Sequence, residues 1–159
     1  MSRPLSLFVL VTVLLGISHT ASADITAFFG STESPRRTVQ GGAIGMSLAI
    51  VGFELEYSDT SEHAKTNTAA LQSSMFNLLV QTPFPASRVQ FYGTIGGGLY
   101  RERIGIRANT GLGGNIGAGL KISLVGPIRV RIDYRTFRLR HDSTDRSRQR
   151  VYAGLNIAF

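Results

Sequence analysis

Arg148-Gln149-Arg150-Val151-Tyr152-Ala153-Gly154-Leu155-Asn156-Ile157-Ala158-Phe159 closes the chain, and its side chains alternate. Val151, Ala153, Leu155, Ile157 and Phe159 share one face, while Arg150, Tyr152, Gly154, Asn156 and Ala158 share the other. A period of two belongs to a strand, because successive Cβ atoms point to opposite sides of a sheet. The terminal residue is aromatic and lies on the apolar face. In water such a residue has little to bury against, whereas a strand crossing a bilayer has an aromatic girdle at the interface to join.

Working upstream, the same alternation predicts seven more strands. They run over 25–30, 39–50, 51–58, 71–81, 88–100, 115–124 and 128–135. In the third, Val51, Phe53, Leu55 and Tyr57 alternate with Gly52, Glu54, Glu56 and Ser58. In the seventh, Ile128, Val130, Ile132 and Tyr134 alternate with Arg129, Arg131, Asp133 and Arg135. Pro83 and Pro85 cannot continue a hydrogen-bonded ladder, and Gly126-Pro127 suits a tight turn, so both places break the pattern. Long polar links (31–38, 59–70, 101–114 and 139–147) are expected after the odd strands, and short turns after the even ones. Long loops at one end and short turns at the other are the pattern of outer-membrane barrels.

The amino end supplies the compartment. Arg3, the apolar run from Leu5 to Ile17 and the small residues Ala21-Ser22-Ala23 make an export signal, with cleavage expected before Asp24. The run is too short for the roughly 20 residues a spanning helix needs. Residues 1–23 are thus expected to be a signal peptide and residues 24–159 a single barrel domain.

Composition narrows the chemistry. The chain of 159 residues has no cysteine, which excludes disulfides and thiolate metal sites, and no metal-ligand cluster or cofactor motif is visible. The formal charge is +7, and all the basic residues except Lys65 and Lys121 are arginine. Guanidinium groups suit bidentate pairing with carboxylate and phosphate. No nucleic-acid motif accompanies them, so anionic lipid is the expected partner.

The alternation, the export signal and the ending Val151-Tyr152-Ala153-Gly154-Leu155-Asn156-Ile157-Ala158-Phe159 together resemble the small eight-stranded outer-membrane barrels of the OmpA transmembrane-domain and OmpX/Ail type. The resemblance covers the whole mature chain and implies an all-β, eight-stranded, antiparallel up-and-down transmembrane barrel, non-enzymatic and monomeric, in the bacterial outer membrane. It also implies that Phe159 is part of the signal read by the outer-membrane assembly machinery. Nothing in residues 24–159 is similar to the peptidoglycan-binding domain of full OmpA-like proteins, so that anchoring role is not expected of them.

If the apolar faces meet lipid, Glu54, Glu56, Arg129, Arg131, Asp133 and Arg135 point into the lumen, together with Lys121 and, near hydrated rims, Arg88 and Arg150. Confined charges must pair, so Glu54 and Glu56 are expected to meet the arginines of strand seven across the bore. A second set, Arg36, Arg37, Arg101, Arg103, Arg107, Arg138, Arg140, Arg146 and Arg148, falls in the predicted long loops, where lipopolysaccharide phosphates are the expected ligand. Three other readings stay open: a narrow anion-preferring pore, a soluble lipocalin-like barrel with the apolar face inside, and a lipid A deacylase. The last rests on His141-Asp142-Ser143, which is similar to the His-x-Ser pair of PagL-type enzymes. The carboxylate Asp145 lies in the same loop, where that family's pattern has an acid farther on.

Overall fold

The computed structural model describes residues 21–33, 36–61, 70–83, 88–104, 107–139 and 147–159, with backbone only at Ile104 and Arg107. Eight antiparallel strands form a closed barrel in sequence order: β1 (Ser22–Thr32), β2 (Arg37–Leu48), β3 (Val51–Thr60), β4 (Ala70–Gln81), β5 (Val89–Ile104), β6 (Arg107–Val125), β7 (Ile128–Leu139) and β8 (Ser147–Ala158). Closure runs from Asp24 opposite Ala158 to Thr32 opposite Arg150. It leaves no sheet edge along the barrel wall, which lipid-exposed backbone requires. Beyond the last β1–β8 pair, Ala23 and Phe159 exchange backbone hydrogen bonds of 2.9 and 2.8 Å. β1 thus begins two residues before the expected cleavage point.

Alternation gives every strand two faces, and closure decides which is inside. Each contributes an exposed apolar residue to the outer wall, in order Ile25, Ile44, Leu55, Phe76, Ile95, Ile116, Ile132 and Leu155. The interior instead holds Glu54, Glu56, Arg131, Asp133, Arg135 and Asn77, each 3% exposed or less. Water-soluble proteins rarely present contiguous apolar patches larger than a few hundred Å². A girdle on all eight strands is a surface made for hydrocarbon. The lipocalin-like alternative, which needs the apolar face inside, is overturned by this polarity.

Three sequence-based boundaries are corrected. The strand expected to end at Ile50 ends at Leu48, and the tight turn falls on Ala49 and Ile50, with Ala49 at φ 54°. Chain reversal at that point holds a non-glycine residue in a left-handed conformation costing about 1–2 kcal/mol. The first connection shrinks to residues 33–36, because β1 and β2 extend to pair Thr32 with Arg37. The largest change is at 101–114, expected as a long loop. There β5 and β6 continue until Ile104 pairs with Arg107. β7 leaves β6 at Leu139 opposite Gly113, so the β5–β6 hairpin projects beyond it. The asymmetry between barrel ends therefore lies partly in strand length rather than in loop length alone.

Candidate functional site

Two places gather chemistry: the bore, and the outer wall near the β5–β6 hairpin. In the bore, Arg131 and Arg135 lie four residues apart on β7, an even spacing that puts both on its inner face. Glu54 and Glu56, two residues apart, likewise share the inner face of β3, which is opposite β7 in the barrel. Arg131 is ion-paired with Glu54, and Arg135 reaches Glu54 at 3.0 Å and Glu56 at 2.8 Å. Asp133, between the two arginines, accepts from Arg135 Nε at 2.9 Å and Arg131 Nη2 at 3.1 Å. Arg150 of β8 is ion-paired with Glu56 and donates to Ser58 at 2.8 Å.

Neutral donors complete the network. The Tyr92 hydroxyl of β5 donates to Asp133 and accepts from Arg131 Nε at 2.7 Å. Asn115 donates to Asn77 at 2.8 Å, and Asn77 donates to Glu54 at 3.3 Å. Tyr152 stacks on Phe28, with centroids 4.2 Å apart, and accepts from Arg135 at 3.0 Å. Removing a charge from water costs several kcal/mol, which is offset only when partners and remaining donors are satisfied together. Here one carboxylate serves two guanidinium groups and an amide. Toward the terminal end Lys121 pairs with Asp24 at 2.7 Å, and toward the hairpin end Arg148 meets Glu102 at 3.3 Å.

Several expected positions change. Arg150, expected at a hydrated rim, is buried in the network, whereas Arg88 is exposed in the turn before β5 at φ 72°. Arg129 is half-buried, and no described residue forms an ion pair with it. Arg37 and Arg148, expected on outer loops, are 4% exposed inside the wall. The buried basic groups are Arg37, Lys121, Arg131, Arg135, Arg148 and Arg150, against Asp24, Glu54, Glu56, Glu102 and Asp133, so the described interior is nearly balanced rather than strongly cationic. Asp24 and Glu102 are interior charges that sequence reasoning missed. Continuing the β1 alternation down from Thr26 would have found Asp24, and continuing the β8 alternation up from Arg150 would have found Arg148.

Arg36, Arg101, Arg103 and Arg138 are exposed. Arg101 and Arg103 extend the outward face of β5 above Leu99, and Arg138 is on the outward face of β7. The Arg107 side chain, Arg140, Arg146, His63 and His141-Asp142-Ser143 lie outside the described residues. Among the described residues no cluster of His, Cys, Asp and Glu could hold a metal ion.

Fold and polarity together define the class: the chain has the architecture of the small eight-stranded outer-membrane β-barrels. It is similar to the N-terminal β-barrel domain of Pseudomonas aeruginosa OprF, with a TM-score of 0.70 and 19% identity, covering 87% of this chain and 97% of that one. Neisserial surface protein A gives 0.70 and 16% identity over the same shares of the two chains. The outer membrane enzyme PagL gives 0.53 and 12%, covering 84% of this chain and 98% of that one. No protein-family model matches the sequence, and no curated protein does. At these identities the likeness speaks for the fold alone, which an enzyme such as PagL shares.

Proposed function

We propose that the chain is an integral outer-membrane protein with a closed bore, acting through its wall and outer mouth as a non-enzymatic structural or surface-interaction protein. The observation that carries this reading is the Glu54–Arg131 pair, which joins opposite walls of the barrel in a layer of side chains that water-filled conduction would have to break. An eight-stranded barrel has an interior just wide enough for side chains to fill, and ion pairs that cross it hold those side chains in place. With positive and negative interior groups nearly balanced, the anion-preferring pore loses its electrostatic basis.

The hairpin end, opposite the termini, is assigned to the cell exterior, as in barrels whose longer hairpins face outward. Planar-bilayer recording tests the closed bore: the inserted barrel is expected to give no steady conductance, and a regular open level would replace this reading with the pore. The deacylase reading depends on His141 and Ser143 and is tested separately. Lipid A mass spectra from cells with and without the protein are expected to match, and loss of one acyl chain would establish the enzyme.

A further inference from the structure

Three exposed arginines stand on the outer wall where β5, β6 and β7 approach the exterior. Arg101 faces Thr110 across the β5–β6 ladder, Arg103 is the next outward residue of β5, and Arg138 faces Gly114 across the β6–β7 ladder. None is ion-paired with a described residue. The nearest outward carboxylate in register, Asp59, lies two strands from Arg101 and is held by Gln72 Nε2 at 3.3 Å. Directly beneath Arg101 and Thr110 the wall becomes apolar at Leu99 and Leu112, both 55% exposed. A guanidinium at that boundary is at headgroup height, with hydrocarbon below it.

The wall under these arginines has an unusual floor. Gly97 pairs with Gly114, whose β7 neighbour is Arg138. A Cβ at Gly97 would come no closer than 3.5 Å to any neighbour, and one at Gly114 no closer than 3.4 Å. The inward Gly96 and Gly98 differ, because a Cβ there would collide with β4 at 2.0 Å. Barrel packing therefore accounts for the inward glycines and not for the outward pair. Glycine weakens a strand and often marks a place where another group approaches the backbone closely. Here it opens a slot between Leu99/Leu112 and Ile95/Ile116, ending at Arg138.

We infer that this patch binds the phosphorylated headgroup of lipid A: Arg101, Arg103 and Arg138 hold the phosphates, and an acyl chain lies over Gly97 and Gly114. The inference rests on the outer-membrane reading above and on the assignment of the hairpin end to the exterior. Phosphate oxyanions satisfy the fork geometry of guanidinium, and the Thr110 hydroxyl adds a donor beside Arg101. Lipid A rather than glycerophospholipid is chosen because the outer leaflet carries it and because the arginines are spread over two strands separated by β6. That spacing suits a headgroup with more than one phosphate.

The test uses the full chain folded into phosphatidylcholine bilayers, with bisphosphorylated lipid A, the same lipid after phosphatase treatment, or phosphatidylglycerol added at equal fractions. Retention of each lipid by the barrel is read by native mass spectrometry, and the unfolding midpoint is recorded. Bisphosphorylated lipid A is expected to be retained and to raise the midpoint. Combining Arg101→Gln, Arg103→Gln and Arg138→Gln is expected to weaken retention on the order of tenfold while leaving heat-modifiable gel migration intact. Equal retention of the phosphatase-treated lipid, or equal retention by parent and triple variant, would overturn the site. Equal retention of phosphatidylglycerol would overturn the assignment to lipid A. If the triple variant does not insert, the comparison of phosphorylated with phosphatase-treated lipid on the parent decides alone. A parent that does not enter bilayers overturns the membrane reading, which is a different failure.

Discussion

Arg131 on β7 is ion-paired with Glu54 on β3, so one contact joins strands that sit opposite each other in the closed cylinder. Neither residue is near the other in sequence, and both are almost wholly buried. Glu54 also receives Arg135 and Asn77. Its removal therefore leaves two guanidinium groups short of a partner at once.

Glu54→Ala is expected to destabilise the folded barrel by about 3–5 kcal/mol, the usual cost of stranding a buried charge. Combining Glu54→Met with Arg131→Met removes both ends of the pair and is expected to cost less than the single alanine change. Urea unfolding in lipid vesicles, followed by the heat-modifiable gel shift, reads both. An unchanged midpoint for Glu54→Ala would mean that the network carries no structural weight.

Glycines on the two faces of β5 are expected to respond differently. At Gly98 a Cβ would lie 2.0 Å from the Ser74 carbonyl oxygen and 2.8 Å from the Met75 Cα, both backbone atoms that cannot swing away. Gly98→Ala should therefore cost about 1–3 kcal/mol through overpacking. At Gly93 the nearest neighbour would be 4.0 Å away, and Gly93→Ala should leave the midpoint within about 0.5 kcal/mol of the parent. Equal losses at both positions would contradict the assignment of inner and outer faces.

Phe159 has an exposed ring, while its backbone is tied to Ala23. Phe159→Asp keeps the backbone pairing and removes the aromatic group. It is expected to lower the amount of protein reaching the outer membrane several-fold. The unfolding midpoint of protein refolded in detergent should stay within about 1 kcal/mol, as for most exposed substitutions. Normal outer-membrane levels of the variant would remove Phe159 from the assembly signal.

Alternation made the strands and their two faces readable, because a period of two survives even in short segments. It left inside and outside to be decided by closure. The stretch Gly111-Leu112-Gly113-Gly114 read as loop because glycine is depleted in strands. In the barrel, however, a Cβ at Gly111 would strike the Tyr100 hydroxyl at 2.6 Å and its ring at 2.7 Å, and one at Gly113 would crowd Leu139 at 3.1 Å. These glycines make room for large inward neighbours on adjacent strands, and no local pattern announces such a long-range demand. Arg37 and Arg148 were misplaced for a related reason. Polar residues next to a chain reversal look solvated, yet both strands continue past them and turn them inward. The partner choices within the bore, such as Tyr92 with Asp133, depend on strand register and closure and are not written in either segment alone.

The polarity of the wall is the claim on which everything else depends, and the absence of tryptophan makes it directly measurable. Leu155→Trp and Ile132→Trp each place a single indole on the outer face, at positions 57% and 42% exposed in the structure. In bilayers of brominated phosphatidylcholine both are expected to show strongly quenched emission compared with unbrominated bilayers. Unquenched, red-shifted emission from either variant, equal in the two bilayers, would place that face in water and contradict the membrane barrel.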